Sequence, residues 1–190
     1  MKILADKLKN KAQDVGVTAE QLAQAVERDG LKGDRALTAV RNWMGGRFQP
    51  VCKAGDVGKL ATALRCAPKD LVRFTSQVRT HRGSPRKAKL LVDLIRGRHV
   101  DEALNLLSFA PQRAAVNVRK CLSAAIADAE RNDADVTSLF VGESTVDDGP
   151  RMKRFQPKDR GRAHQILKRF SHITVGVEER VKGSGKKERR

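Results

Sequence analysis

The sequence predicts an α+β protein with a helical first part, a second part that mixes helices and strands, and a long protruding β-hairpin. Three observations lead to this prediction. Apolar residues recur at helical spacing through residues 1–74, and the first strand-like run comes just after them, at residues 77–80. Two further strand-like runs, residues 139–146 and 166–177, flank a segment rich in basic and poor in apolar residues.

Five helices are predicted in residues 1–74. A capping box of Thr18 and Gln21 opens the second helix, which continues to Val26. Trp43 lies between Val40 and Met44 and is expected in the core. The other helices and their expected inward residues are 3–15 (Leu4, Leu8, Ala12, Val15), a third with Leu37, Val40 and Met44, a fourth with Val57, Leu60, Ala61 and Leu64, and 68–74.

Three more helices are predicted after the boundary near Phe74. Ser84 and Pro85 suit the start of the first, because Ser caps and Pro fits the first helical position. Gly97 ends that helix, residues 101–107 form the second, and Pro111 starts the third. The expected inward residues are Ala88, Leu91, Val92 and Ile95, then Ala103, Leu104 and Leu107, then Ala115, Val118, Leu122, Ala125 and Ala129; Ile173, Val175 and Val177 face inward from the last strand.

The basic segment, residues 147–170, is called the arm. It holds eight Lys or Arg residues and three Asp residues, within a chain whose net charge is +17. About 12 residues per strand at about 3.3 Å each give a reach of roughly 40 Å. An isolated two-stranded ribbon is marginal in water, and its charge points to a polyanionic partner. We therefore expect the arm to bind RNA, and to become ordered on it.

Several classes of function are disfavoured. Cys52, Cys66 and Cys121 are widely spaced, which supports neither a disulfide framework nor a zinc site and fits a reducing cytosol. The N-terminus does not read as a signal peptide, and no apolar run is long enough to span a membrane. Neither a phosphate-binding loop nor a nucleophile motif occurs. We expect no enzyme activity, cofactor, metal or membrane partner.

Residues 75–180 carry a series of collinear motifs. They include Thr-His-Arg-Gly-Ser-Pro-Arg-Lys-Ala within 78–98, Asp-Asp-Gly-Pro-Arg-Met-Lys-Arg-Phe-Gln-Pro at 147–157, Arg-Gly-Arg-Ala at 160–163 and Lys-Arg-Phe-Ser-His-Ile-Thr-Val at 168–175, with further matches at 101–107 and 123–132. On these motifs the segment closely resembles the large-subunit ribosomal protein family numbered twenty-two.

The resemblance implies three helices on a small three-stranded antiparallel sheet, with a hairpin whose tip lines the nascent-peptide exit tunnel. It also implies a cytoplasmic protein that binds large-subunit rRNA, aids assembly and contacts neighbouring ribosomal proteins. Backbone N–H groups at a helix start favour phosphate as well. The expected rRNA-binding residues are Arg79, His81, Arg82, Ser84, Arg86, Lys87 and Lys89 (the helix-start cluster), and Arg151, Lys153, Arg154, Lys158, Arg160, Arg162, Lys168, Arg169 and His172.

The expected tip of the arm consists of Phe155, Gln156, Pro157, Lys158, Asp159, Arg160 and Gly161. These residues should approach the tunnel lumen and the nascent peptide. Phe155 has two open interpretations, since its ring can stack on an unpaired base or pack on the opposite strand. The segment 181–190 has no periodicity and is predicted to be a flexible basic tail.

Residues 1–74 resemble a helix-turn-helix domain of the phage-repressor, Cro/CI-like class. The matching features are Gly16-Val17-Thr18, Gln21-Leu22-Ala23, Val40-Arg41-Asn42-Trp43 and the run 59–64; the turn over residues 27–34 is longer than is usual for that class. Arg35, Thr38 and Arg41 should share one face of the recognition helix, where they can reach base edges. A regulator that binds DNA through this domain is thus the alternative to a ribosomal protein with an extra helical domain.

Overall fold

A computed structural model of the chain describes residues 1–180, so the tail predicted at 181–190 lies outside the described residues. The chain divides into two compact units, Met1–Phe74 and the segment from Thr75 onward. Helices coexist with strands that pair antiparallel, which confirms the predicted α+β class. Within residues 1–180, no helix has the length and hydropathy needed to cross a membrane.

The first unit is helical apart from its ends. The capping box at the start of its second helix is confirmed, because Thr18 Oγ1 accepts the Gln21 N–H and Gln21 Oε1 accepts the Thr18 N–H at 3.1 Å. Its elements are β1 (Lys2–Ile3), α1 (Ala5–Val15), α2 (Ala19–Val26), α3 (Asp34–Met44), α4 (Ala54–Ala63) and α5 (Pro68–Leu71).

The core of the first unit forms around Trp43. Its side chain is fully buried, as expected, and its indole N–H donates to the Pro50 carbonyl at 2.7 Å. The predicted inward residues of α4 are all buried. The buried face of α3 differs from the predicted one. Leu37 and Met44 are only half-buried, while Ala36 and Ala39 are fully buried beside Val40. Small residues let α3 approach its neighbours closely. The spacing of apolar residues does not show whether the alanines or the larger Leu37 and Met44 form the buried face.

Two helix boundaries also differ from the prediction. The first helix begins at Ala5, because Ile3 pairs antiparallel with Val72 as a short strand. The helix predicted over 68–74 ends at Leu71 for the same reason, since the residues after it belong to a strand. Val15, expected to face inward, is 41% exposed at the end of α1.

The second unit packs helices on a sheet in which β4 lies between β2 and β3. Helix α8 packs on β4, α6 packs on both β3 and β4, and α7 packs on α8 and β3. The elements are β2 (Val72–His81), α6 (Pro85–Ile95), α7 (Val100–Phe109), α8 (Ala114–Glu130), β3 (Leu139–Pro157) and β4 (Ala163–Glu179).

The predicted apolar stripes of α6 and α8 and the inward residues of β4 are all buried. On α7, Leu104 is half-buried instead of inward, and Val100 takes the buried position. The predicted strand at 77–80 is the end of the longer β2. Buried Ser144 joins sheet and helix: its hydroxyl donates to the Val92 carbonyl at 2.5 Å, so the base of the β3–β4 hairpin is held to α6.

Candidate nucleic-acid interface

The arm is a continuation of β3 and β4 beyond the packed body. The antiparallel ladder runs from Leu139↔Glu179 out to Pro157↔Ala163, with irregularities between Val141 and Glu143 and between Asp148 and Arg151. From Arg151 to Arg169 every side chain except the half-buried Ile166 is exposed. The arm therefore presents its residues to solvent instead of contributing them to the core.

Cations lie on both faces of the arm. Directly paired residues of a ladder share a face, and side chains alternate along each strand. Met152 pairs with Lys168 and Arg154 with Ile166, while Lys153 pairs with Leu167 and Arg151 with Arg169. We call the first set, together with Phe170, the Lys168 face, and the second set the Lys153 face.

The arm carries an excess of positive charge that it does not neutralise itself. Residues 151–169 hold eight Lys or Arg and a single Asp. Arg151 and Arg169 are directly opposed, an arrangement that destabilises a ladder. The ion pair between Arg151 Nη2 and Asp148 Oδ2, at 3.0 Å, joins two half-exposed side chains, and such pairs contribute at most about 1 kcal/mol. A ribbon of this kind is suited to a partner with phosphates on both sides.

The tip is a closed, left-handed turn. A short 3₁₀ turn spans Asp159–Gly161, where Arg160 and Gly161 adopt φ of 56° and 70°, and the Lys158 N–H donates to the Arg162 carbonyl at 2.7 Å. All seven expected tip residues are exposed. The Phe155 ring is 73% exposed opposite Gln165, so the structure favours a free ring over one packed on the opposite strand.

The helix-start cluster lies where β2 turns into α6. Pro85 occupies the first turn of α6 and has no N–H, and the Lys87 N–H donates to the Ser84 carbonyl at 3.1 Å. The Ser84 side chain makes no capping hydrogen bond. Arg79, Arg82, Arg86, Lys87 and Lys89 are exposed, and Ser84 is half-buried. The exposed cations of this cluster form a surface suited to phosphate.

Two histidines of the predicted set hold this turn in place. His81 is 7% exposed, and its Nδ1 lies 2.5 Å from Asn117 Nδ2. Burial, with Arg113 nearby, lowers the His81 pKa and favours the neutral ring. His172 Nδ1 accepts the Thr80 N–H at 3.0 Å and so links β4 to the end of β2. His81 is thus held against α8, and its expected contact with rRNA stays a prediction.

The structure also brings together residues that the sequence did not connect. Arg82 joins four arm residues of the Lys168 face around a cleft of about 400 Å³; its lining residues are Arg82, Met152, Arg154, Lys168 and Phe170. Arg82, Arg154 and Lys168 were expected to bind rRNA, but Met152 and Phe170 were not assigned a role. Alternation along the strands places these two side chains on the same face as the cations.

In the first unit, Arg35, Thr38 and Arg41 are exposed on α3, as the helical spacing predicts. The preceding loop is ordered by its own bonds. Arg28 and Leu31 exchange backbone hydrogen bonds at 3.2 and 2.9 Å, and the Gly33 N–H donates to Glu27 Oε1 at 3.1 Å. Arg35 and Thr38 also line a cavity of about 380 Å³ together with Asp34. The Asp34 carboxylate disfavours an anionic partner in that cavity.

The comparison with known families identifies part of the chain. A family model described as ribosomal protein L22p/L17e matches residues 76–178. The matched range contains nearly all of the second unit, including the helix-start cluster, both strands of the arm and its tip.

Proposed function

The chain belongs to the ribosomal protein L22p/L17e family, and on that basis we propose that its arm lies between segments of large-subunit rRNA and its tip lines the nascent-peptide exit tunnel. Proteins of this family are structural constituents of the ribosome that bind rRNA, not enzymes. The proposed partners are large-subunit rRNA, neighbouring ribosomal proteins and the nascent peptide. The proposal also includes a cytoplasmic location on the ribosome and a role in subunit assembly.

The two-faced charge of the arm is the observation that carries this proposal. A protein that binds RNA through one surface needs cations on that surface only. In the arm, Arg154 and Lys168 lie on one face and Lys153 and Arg169 lie on the other. RNA on both sides relieves the repulsion between the strands. RNA helices are recognised mainly by shape and backbone, so this arrangement requires no sequence-specific contacts.

The dimensions of the arm fit a role deep in a particle. The exposed part of β3 from Gly149 to Pro157 spans roughly 30 Å at about 3.3 Å per residue. The tip beyond it adds a closed turn with no buried residue. A solvated tip at the end of a long ribbon can reach a cavity that the body of the protein does not enter.

The rRNA contact is tested by neutralising Arg151, Lys153, Arg154, Arg160 and Arg162 to Gln in the full chain. Each lost phosphate contact should lower the slope of log K against log salt by roughly 0.7–0.9. Binding to transcribed large-subunit rRNA is measured by filter binding at several salt concentrations. The control neutralises Arg119 and Lys120, which are exposed on α8. An unchanged slope in the arm variant would show that its cations are merely solvated.

The tunnel contact is tested with a photoreactive benzoylphenylalanine at Gln156 in the tip. We expect a crosslink to a stalled nascent chain in purified ribosomes. The same group at Thr145, exposed near the base of β3, serves as the control and should not reach the nascent chain. Equal crosslinking from both positions, or none from Gln156, would contradict the placement of the tip.

A second candidate function concerns the first unit. Arg35, Thr38 and Arg41 are exposed along α3, and this favours a nucleic-acid contact through that helix. We propose duplex DNA as the alternative partner, to be tested by selecting bound sequences from a random duplex pool. Enrichment of one sequence that Arg41→Ala abolishes would support DNA recognition. Binding that is uniform across sequences would leave the first unit as an accessory to rRNA binding.

A further inference from the structure

The cleft at the base of the arm has the composition of a site for a single nucleotide. Its lining combines two apolar side chains, Met152 and Phe170, with three cations, Arg82, Arg154 and Lys168. We propose that this arm-base cleft receives one unstacked base of a single-stranded rRNA segment and holds the flanking phosphates on its cations. The inference rests on the proposed rRNA binding and names a particular contact within it.

The register of the hairpin places the cleft residues on one side. Met152 is directly opposite Lys168, and Arg154 and Phe170 are each two residues further along their strands. Gly149 lies at the irregularity in the ladder beside Phe170. A Cβ at Gly149 would lie 3.0 Å from the carbonyl carbon and oxygen of Phe170 and 3.2 Å from its Cβ. A glycine here therefore lets β3 come close to Phe170 without displacing it.

The apolar part of the cleft offers a surface for stacking. Met152 is 42% exposed, and the Phe170 side chain is half-buried, so each has an accessible surface as well as a supported one. Unpaired bases in RNA complexes commonly stack on aromatic side chains, whatever their sequence. The cleft volume of about 400 Å³ falls within the range of roughly 300–1,000 Å³ that is usual for small-ligand sites.

The polar part of the cleft is suited to phosphate. All three charged lining residues are cations, and within residues 1–180 no carboxylate lines the cleft. Arg154 Nη1 donates to the Lys153 carbonyl at 2.8 Å, and its side chain forms no ion pair within the described part of the chain. Arg82 and Lys168 form no ion pair among residues 1–180 and remain available. Three cations around an apolar floor favour a nucleotide over an apolar or basic peptide segment.

The direct test uses the full chain and transcribed large-subunit rRNA that carries 4-thiouridine. After irradiation, crosslinked peptides are identified by mass spectrometry, and we expect nucleotide adducts on Phe170 or Met152. Because the wild-type chain is used, the result does not depend on the folding of any variant.

Binding measurements provide the second test. Phe170→Leu and Met152→Ala should each weaken rRNA binding by about 5- to 150-fold, the range for loss of one stacked base. Val116→Ala is the control, because Val116 is an exposed apolar residue of α8 and lies outside the arm. It should bind within about twofold of the wild type on this reasoning. Melting curves confirm that the variants are folded.

The outcomes separate this inference from the proposed function. If the wild-type chain does not bind rRNA, both fail. If it binds with a normal salt dependence, but no adduct forms in the cleft and both cleft variants bind like the control, only the nucleotide site is overturned. A crosslink from Phe170 to a neighbouring protein in purified subunits would likewise overturn it and assign the cleft to a protein side chain.

Discussion

The replacement of Asp56 by Asn tests how the first unit is stabilised. The Asp56 side chain is 4% exposed and lies at the start of α4, where its Oδ2 accepts the Lys53 N–H at 2.9 Å. The same oxygen is 3.3 Å from Arg28 Nη2, whose side chain is 21% exposed. One carboxylate thus caps a helix and pairs with a cation from the loop before α3.

The expected loss follows from these two contacts. Asn keeps an oxygen that can accept the Lys53 N–H, so Asp56→Asn removes mainly the charge facing Arg28, at a cost of about 1.5–3 kcal/mol. Asp56→Ala also removes the cap, which adds about 1 kcal/mol. A unit of this size has a stability of roughly 4–11 kcal/mol. At about 4–8 °C per kcal/mol, Asp56→Asn should lower the melting temperature by roughly 6–24 °C.

Tryptophan fluorescence isolates this effect. The chain has one Trp and no Tyr, and Trp43 is fully buried in the first unit. Its emission therefore follows the unfolding of that unit, whereas far-UV circular dichroism follows both units. We expect the fluorescence transition to shift in Asp56→Asn and a transition of the second unit to stay in place.

Asp29→Asn is the matched control, because Asp29 is a fully exposed acid whose Oδ1 lies 3.6 Å from Lys32 Nζ. An exposed pair of this kind contributes little, so its fluorescence midpoint should barely move. If Asp56→Asn also melts within about 2 °C of the wild type, the reasoning is refuted. The cost of desolvating the Asp56–Arg28 pair would then cancel its attraction.

Four further predictions concern other parts of the chain. Gly83→Ala should destabilise the second unit by about 1–3 kcal/mol, because its Cβ would lie 2.6 Å from Nε2 of buried His81; circular dichroism should show it without a change in the fluorescence transition. Burial raises the Cys52 pKa to about 12 from 9.0, so the folded state keeps a proton that the unfolded state loses, and stability should fall as pH rises above about 9. Cys52→Ala should flatten that alkaline decline in denaturant titrations. Amides of residues 148–168 should exchange rapidly in the free protein and slowly on rRNA, and strong protection without RNA would contradict a ribbon ordered by its partner. A chain lacking residues 1–70 should remain folded and enter large subunits; a melting curve and a sedimentation profile test this, and exclusion from particles would mean that the first unit is required.

The sequence alone determined the features that depend on neighbouring residues. The apolar stripes of α6 and α8 repeat at three and four residues, and that spacing itself defines the face that is buried. The capping box of Thr18 and Gln21 closes within one turn. The charge of the arm is likewise a local property, since it can be counted along the chain before any contact is known.

Features that depend on distant residues required the tertiary structure. The helix predicted over 68–74 stops at Leu71 because the chain after it pairs with residues at the N-terminus. His81 lies between Arg79 and Arg82 in the sequence, and only the structure shows that it is buried beside Asn117, 36 positions away.

The arm-base cleft was not predictable for the same reason. Met152 and Phe170 are two apolar residues in a basic segment, and only the register of the hairpin places them on one face with Arg82 beside them. Charge and periodicity are properties of the order of residues. A binding site depends on the distances between side chains. Those distances are set by which segments pair and pack once the hydrophobic core has formed.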